Sequence, residues 1–126
     1  VVIGAVTVGW PDKVLLPNSR SHWAPKAKAA KKARMDAAWA TRVAGFLPVK
    51  ADALRITCVF FPPDKRHRDV DGMLSSLKPA LDGISDAIGI DDSKWQIALR
   101  REAPQPPHGS VRIEIEAADA AQPNGA

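Results

Sequence analysis

The sequence predicts a single small α+β domain of order β-α-β-α-β-β, with two helices packed on one side of a mixed sheet. Three observations carry this. Residues 24–44 and 72–89 place apolar side chains at helical spacing. Four other segments are short and either rich in β-branched residues or alternate apolar with polar. The chain has 126 residues, enough for one modest core and not two.

The elements follow in order. Val1, Val2, Ile3, Val6, Thr7 and Val8 favour a first strand, stopped by Pro11-Asp12. Residues 11–24 hold Pro11, Pro17, Asn18 and two serines and read as a loop. Within it, Asn18, Arg20, His22 and Trp23 can hold a phosphate or stack a base; an ordinary ordered loop with a packed Trp23 is the other reading. The first helix starts at Ala24-Pro25, where a first turn tolerates proline. Its expected core stripe is Ala27, Ala30, Met35, Ala38, Trp39 and Val43, and it ends at Gly45 and Pro48.

Residues 54–61 are dense enough in apolar side chains for a central strand, and Pro62-Pro63 stops it. In the second helix Met73, Leu74, Leu77, Leu81, Ile84 and Ile88 form the stripe, with Asp71 as the expected N-cap and Gly89 as the C-cap. Pro79 predicts either a kink or a helix proper that begins near Lys78. Residues 93–102 alternate, with Trp95, Ile97 and Leu99 on one face. Val111, Ile113 and Ile115 alternate with charges in a last strand, expected as the hairpin partner of the one before. Residues 118–126 are small and polar, a tail expected to be disordered beyond a domain of residues 1–117.

Composition narrows the function. Lone Cys58, in an apolar run, is expected to be a buried free thiol in a reducing compartment. No apolar run approaches the roughly 18 residues that span a bilayer, and the first residues do not resemble a signal peptide. A cytoplasmic protein without membrane attachment is expected. Net charge is +4, unevenly spread: residues 1–68 hold 13 Lys/Arg against 4 Asp/Glu, and residues 69–126 hold 5 against 10. A basic front half suits a polyanion partner. From Arg20 to Arg34 there are six cations and no acid, so Lys28, Lys31 and Lys32 have no acid within that stretch and are expected to track phosphates with Arg20.

The chemistry concentrates between Asp64 and Asp92. Lys65, Arg66, His67 and Arg68 precede Asp69 and Asp71; Lys78 lies within the helix; Asp91 and Asp92 follow it. Clustered carboxylates repel one another unless a cation is present. A hard divalent cation, Mg²⁺ or Mn²⁺, takes oxygen ligands and shares phosphates. Asp69, Asp71, Asp91 and Asp92 are therefore the candidate metal ligands, and Lys65, Arg66 and Arg68 candidate phosphate contacts. Lys78 lies two turns after Asp71, and because helical side chains lean toward the N-terminus it can reach back to steady charge in a transition state. A surface pair with Asp82 is the plainer reading.

These residues also resemble a family. Asp64-Lys65-Arg66-His67-Arg68-Asp69-Val70-Asp71, then Leu77-Lys78-Pro79-Ala80-Leu81-Asp82-Gly83-Ile84, then Gly89-Ile90-Asp91-Asp92-Ser93, resemble the RusA family of Holliday-junction resolvases, often encoded by phages and prophages. Leu16-Pro17-Asn18-Ser19-Arg20 through Trp23 resembles the substrate loop of phage members. The resemblance implies a small homodimer that binds four-way DNA junctions and nicks two strands with Mg²⁺ or Mn²⁺. It implies catalytic roles for Asp69, Asp71, Asp92 and Lys78, with Asp91 beside them. Gly72 stands where the family often has Asn, and the run from Asp71 to Lys78 is longer by three residues. A nuclease for flaps or forks, a DNA-binding module without catalysis, and an interaction protein whose basic face meets an acidic partner are the alternatives.

Overall fold

The computed structural model describes residues 2–20, 22–45 and 51–118. Strand β1 (Val2–Gly9) leads through a 3-10 turn at Lys13–Leu15 to helix α1 (Trp23–Val43). Strand β2 (Ala53–Phe61), helix α2 (Val70–Ile88), strand β3 (Trp95–Arg101) and strand β4 (Ser110–Ala118) complete the order. This is the α+β arrangement the sequence predicts.

The sheet runs β1-β4-β2-β3. β4 is antiparallel to both β1 and β2, and β3 is parallel to β2, with Leu54 beside Trp95 and Phe60 beside Arg101. A parallel pair needs a crossover, which α2 supplies. Leu54, Ile56, Cys58 and Phe60 alternate onto the helix side and are fully buried, with Val111, Ile113 and Ile115 of β4 and Leu77, Leu81, Ile84 and Ile88 of α2. The opposite face carries charge, including the Arg55–Glu116 ion pair at 3.5 Å. Cys58 is the expected buried thiol, pushed up to about 12 by burial.

Several expectations change. β3 and β4 are not a hairpin: β2 lies between them. The 102–109 connector crosses the end of β2, with Glu102 N–H donating to the Phe60 carbonyl at 2.9 Å and Gln105 N–H to the Pro62 carbonyl at 2.7 Å. Pairing with β3 on one edge and β4 on the other satisfies the backbone of β2, whose residues are buried along most of its length. Ile97, expected inward, is 46% exposed because β3 is an edge strand.

α1 buries Ala38 of the expected stripe but turns its large members outward. Ala37, Ala38 and Thr41 are its buried side chains, while Met35 and Trp39 are 61% and 68% exposed and Val43 is exposed too. The cause is close approach to α2: a Cβ at Gly83 would run into the Arg34 carbonyl oxygen and stand 3.0 Å from the Ala38 nitrogen. Only small side chains fit between backbones that near. Arg34 fastens the crossing, its Nε and Nη2 donating to Asp86 at 2.6 and 2.8 Å.

α2 is continuous through Pro79. The missing hydrogen bond and the clash cost about 3 kcal/mol, and the buried stripe on both sides of Pro79 (Met73, Leu77, then Leu81, Ile84) offsets it. Gly89 ends the helix in the left-handed region at φ 84°, as expected. β4 extends through Ala118, paired with Ala53. Pro48 and residues 119–126 lie outside the described residues.

Candidate functional site

The site gathers where β2 ends. Pro62-Pro63 stops the strand, and the segment to Val70 crosses the top of the sheet before α2 begins. Asp69, not Asp71, takes the N-cap position; Asp71 lies in the first turn. The Asp69 side chain makes no capping hydrogen bond. Both carboxylates are exposed, and neither has a hydrogen-bond or ion-pair partner among the described residues.

Their neighbours, by contrast, are paired. Asp64 accepts from Arg68 Nη1 at 2.9 Å and lies 3.2 Å from Arg66 Nε. The Arg68 hydrogen bond, then the Arg66 backbone N–H, hold the Asp64 carboxyl below its ordinary range. Arg68 also donates to the carbonyls of Asp64 and Arg66, both at 3.2 Å, and its guanidinium lies 5.3 Å from the Trp10 ring centre. Arg101 Nη2 donates to the Arg68 carbonyl at 2.6 Å. Arg68 thus knits the loop together and has little left for a phosphate, whereas Lys65 and Arg66 face solvent.

Asp69 and Asp71 line a cleft of about 910 Å³ with Lys13, Asn18, Asp64, Arg66, His67 and Arg68. The 3-10 turn after β1, closed by Val14 N–H donating to Asp12 at 3.0 Å, brings Lys13 and the Leu16–Asn18 segment to its wall. Gly72 is buried under Leu16; a Cβ would meet that side chain at 3.5 Å. The cleft adjoins a cavity of about 400 Å³ between β1, α1 and α2, which shares Trp10, Pro11 and Ser76 with it. Lys32 belongs to that second cavity and pairs with Asp36 at 2.5 Å, so it is not the free phosphate contact expected. Arg20, His22, Lys28 and Lys31 are exposed.

The second carboxylate pair sits elsewhere. After Gly89 the chain folds back along α2: Ser85 Oγ and Trp95 Nε1 both donate to the Ile90 carbonyl, at 2.9 and 3.2 Å. Asp91 accepts from Ser93 Oγ at 2.5 Å and its backbone N–H, and that hydroxyl, first of all, lowers its carboxyl. Asp92 meets the Lys78 ammonium, which also donates to Asp82 at 2.7 Å. Both acids raise Lys78, Asp82 the more. The expected reach of Lys78 toward Asp71 is therefore not seen; Asp82 and Asp92 draw the ammonium the other way. Asp71 lies two turns before it, about 10 Å along the axis.

Among the described residues no three His, Cys, Asp or Glu side chains stand together as a metal-holding group. The long α2 must be traversed before the chain returns, which keeps the two carboxylate pairs apart. The donor chemistry fits a hard cation in an open site, where one or two carboxylates share it with water and a phosphate. Asp69 and Asp71 are the unpaired donors for such a site.

Lys13 and Arg101 were not anticipated as parts of the site, nor was the pairing role of Asp64. Lys13 and Arg101 are distant in sequence and carry no motif. Asp64 and His67 sat within the charged run, but nothing in spacing said that Asp64 would collect both arginines.

No helix among the described residues is long and apolar enough to cross a membrane. No family model matches the chain. It is similar to an uncharacterized protein of Xylella fastidiosa (strain Temecula1 / ATCC 700964), 43% identical over 95 residues. That match covers 72% of this chain, which spans about 61% of the relative's length.

Proposed function

We propose that this chain is a metal-dependent, structure-selective endodeoxyribonuclease of the RusA type, which resolves four-way DNA junctions by paired phosphodiester hydrolysis. One observation carries the reading. Asp69 and Asp71 stand unpaired in a cleft with a cationic rim, while Arg66 and Arg68, which line the same cleft, are turned onto Asp64. Carboxylates left without partners beside available cations suit a ligand that brings its own positive charge.

Asp69 and Asp71 would hold the cation, Mg²⁺ or Mn²⁺. When bound, such a cation polarises a phosphoryl oxygen and lowers the pKa of water. Lys13, Asn18 and Arg66 hold the phosphates at the rim, with Lys65 exposed beside them in the chain, and Arg68 and Arg101 position the loop that carries Asp69. Lys78 stays protonated, since Asp82 and Asp92 raise it. It cannot serve as a base and acts as a fixed positive charge. Paired cuts in two strands call for two such clefts, hence a homodimer.

A DNA-binding module without catalysis is the second reading, favoured by the structural employment of Asp91 and Asp92 as a cap and an ion-pair partner. The deciding experiment incubates the chain with a labelled four-way junction, a flap and a linear duplex, each with and without Mg²⁺. Nicking of the junction only with Mg²⁺ supports the nuclease. Salt-sensitive binding without nicking of any substrate supports the module.

A further inference from the structure

The first turn of α1 projects from the fold. His22, Trp23, Ala24 and Pro25 are all exposed, although they point in different directions around the helix axis. Trp23 is 81% exposed, so the packed tryptophan weighed for this loop is not what forms. Trp23, Ala30 and Ala37 fall at seven-residue spacing on one stripe, and Ala37 is fully buried. The stripe is covered at one end and bare at the other. An indole held out on a helix offers a large, rigid, flat face.

Its surroundings are cationic. Arg20, Lys26, Lys28 and Lys31 lie within eight residues of it in the chain, no acid occurs between Asp12 and Asp36, and none of the four has an ion-pair partner among the described residues. The other exposed indole, Trp39, differs: it lies among exposed Met35 and Val43, an apolar patch. An apolar plate set among unpaired cations matches the two chemistries of a nucleotide, a flat base and a phosphate.

We propose that Trp23 is a stacking platform for a base with an exposed face, with Arg20, Lys26, Lys28 and Lys31 on the flanking phosphates. The inference rests on the nucleic-acid reading above and adds the feature that would select branched DNA. In an intact duplex both faces of every internal base are already stacked. A free face exists at branch points, gaps and ends, so a projecting indole favours those.

The test uses the full chain, Trp23→Ala and Trp23→Phe. Because Trp23 is exposed, both variants should fold, which a thermal melt checks. Affinity is measured by anisotropy with a four-way junction carrying 2-aminopurine at the crossover, and with a linear duplex. Trp23→Ala should weaken junction binding about tenfold and leave the duplex nearly unchanged. Wild type should quench 2-aminopurine by stacking, Trp23→Phe should retain much of that, and Trp23→Ala should lose it. Unchanged junction affinity and quenching in Trp23→Ala would overturn the proposal while leaving the nuclease reading intact. So would a variant that only shifts the oligomeric state in gel filtration, which would assign Trp23 to a contact between copies. A wild-type chain that binds neither DNA overturns both readings.

Discussion

Lys78 and Asp92 are fourteen residues apart in the chain and joined by an ammonium–carboxylate contact. It ties the middle of α2 to the entry of β3, and Asp82 shares the same ammonium. The plainer reading of Lys78 as a partner of Asp82 is present, whereas the reach toward Asp71 is replaced by the contact with Asp92.

Replacing that lysine separates stability from activity. The side chain is 52% exposed and Asp92 37%, so water screens the pair and Lys78→Met should cost at most about 1 kcal/mol. Its raised pKa means that the contribution is full below the ordinary value of 10.5 and lost only as pH rises through the higher folded value. Because the ammonium is held on Asp82 and Asp92 and away from the Asp69–Asp71 cleft, junction nicking should stay within about threefold of wild type, and a loss of about a hundredfold would show that Lys78 acts in the reaction. Urea midpoints at pH 7 and a nicking assay on the same preparation check both.

Asp71→Asn removes charge from the unpaired carboxylate pair without changing shape. Cleavage should drop at least about hundredfold while junction binding in a gel shift holds or tightens. Undiminished cleavage in this variant would sink the nuclease assignment.

Gly83 is the point where α1 and α2 touch backbone to backbone. Gly83→Ala would place a methyl 2.9 Å from the Arg34 carbonyl carbon, forcing the helices apart. The expected loss is about 3 kcal/mol, read as a lower urea midpoint with the slope unchanged. Wild-type stability in this variant would contradict the packing described.

Arg34 and Asp86 fasten the same crossing, and the Arg34 hydrogen bond lowers Asp86 below its ordinary 3.8. A carboxyl with a depressed folded pKa contributes stability above the unfolded value and loses it as pH falls through the folded one. Arg34→Gln should therefore be less stable than wild type at about pH 6, and the two urea midpoints should converge as pH drops below about 4. Parallel curves into acid would mean that Asp86 is not the partner that matters.

The alternation in β2 and β4 and the stripe Met73–Leu77–Leu81–Ile84–Ile88 were legible from residue types alone, because burial of an apolar face is a local, periodic property. So was Gly89 as a stop. The pairing of β3 with β2 instead of β4 was not legible, since it depends on which strand covers which edge. Nor was the outward turn of Met35 and Trp39, which follows from backbone contact at Gly83 between helices far apart in sequence.

The same division runs through the site. Residue types and spacing marked Asp69, Asp71, Lys78, Asp91 and Asp92 as one group, because carboxylates and a lysine around one helix share a chemistry. The fold then sorted them. Asp69 and Asp71 were left unpaired in a cleft, Asp91 became a cap, and Asp92 was joined to Lys78. Hydrogen-bond partners are settled by where the chain returns after α2, and no pattern along the sequence records that distance.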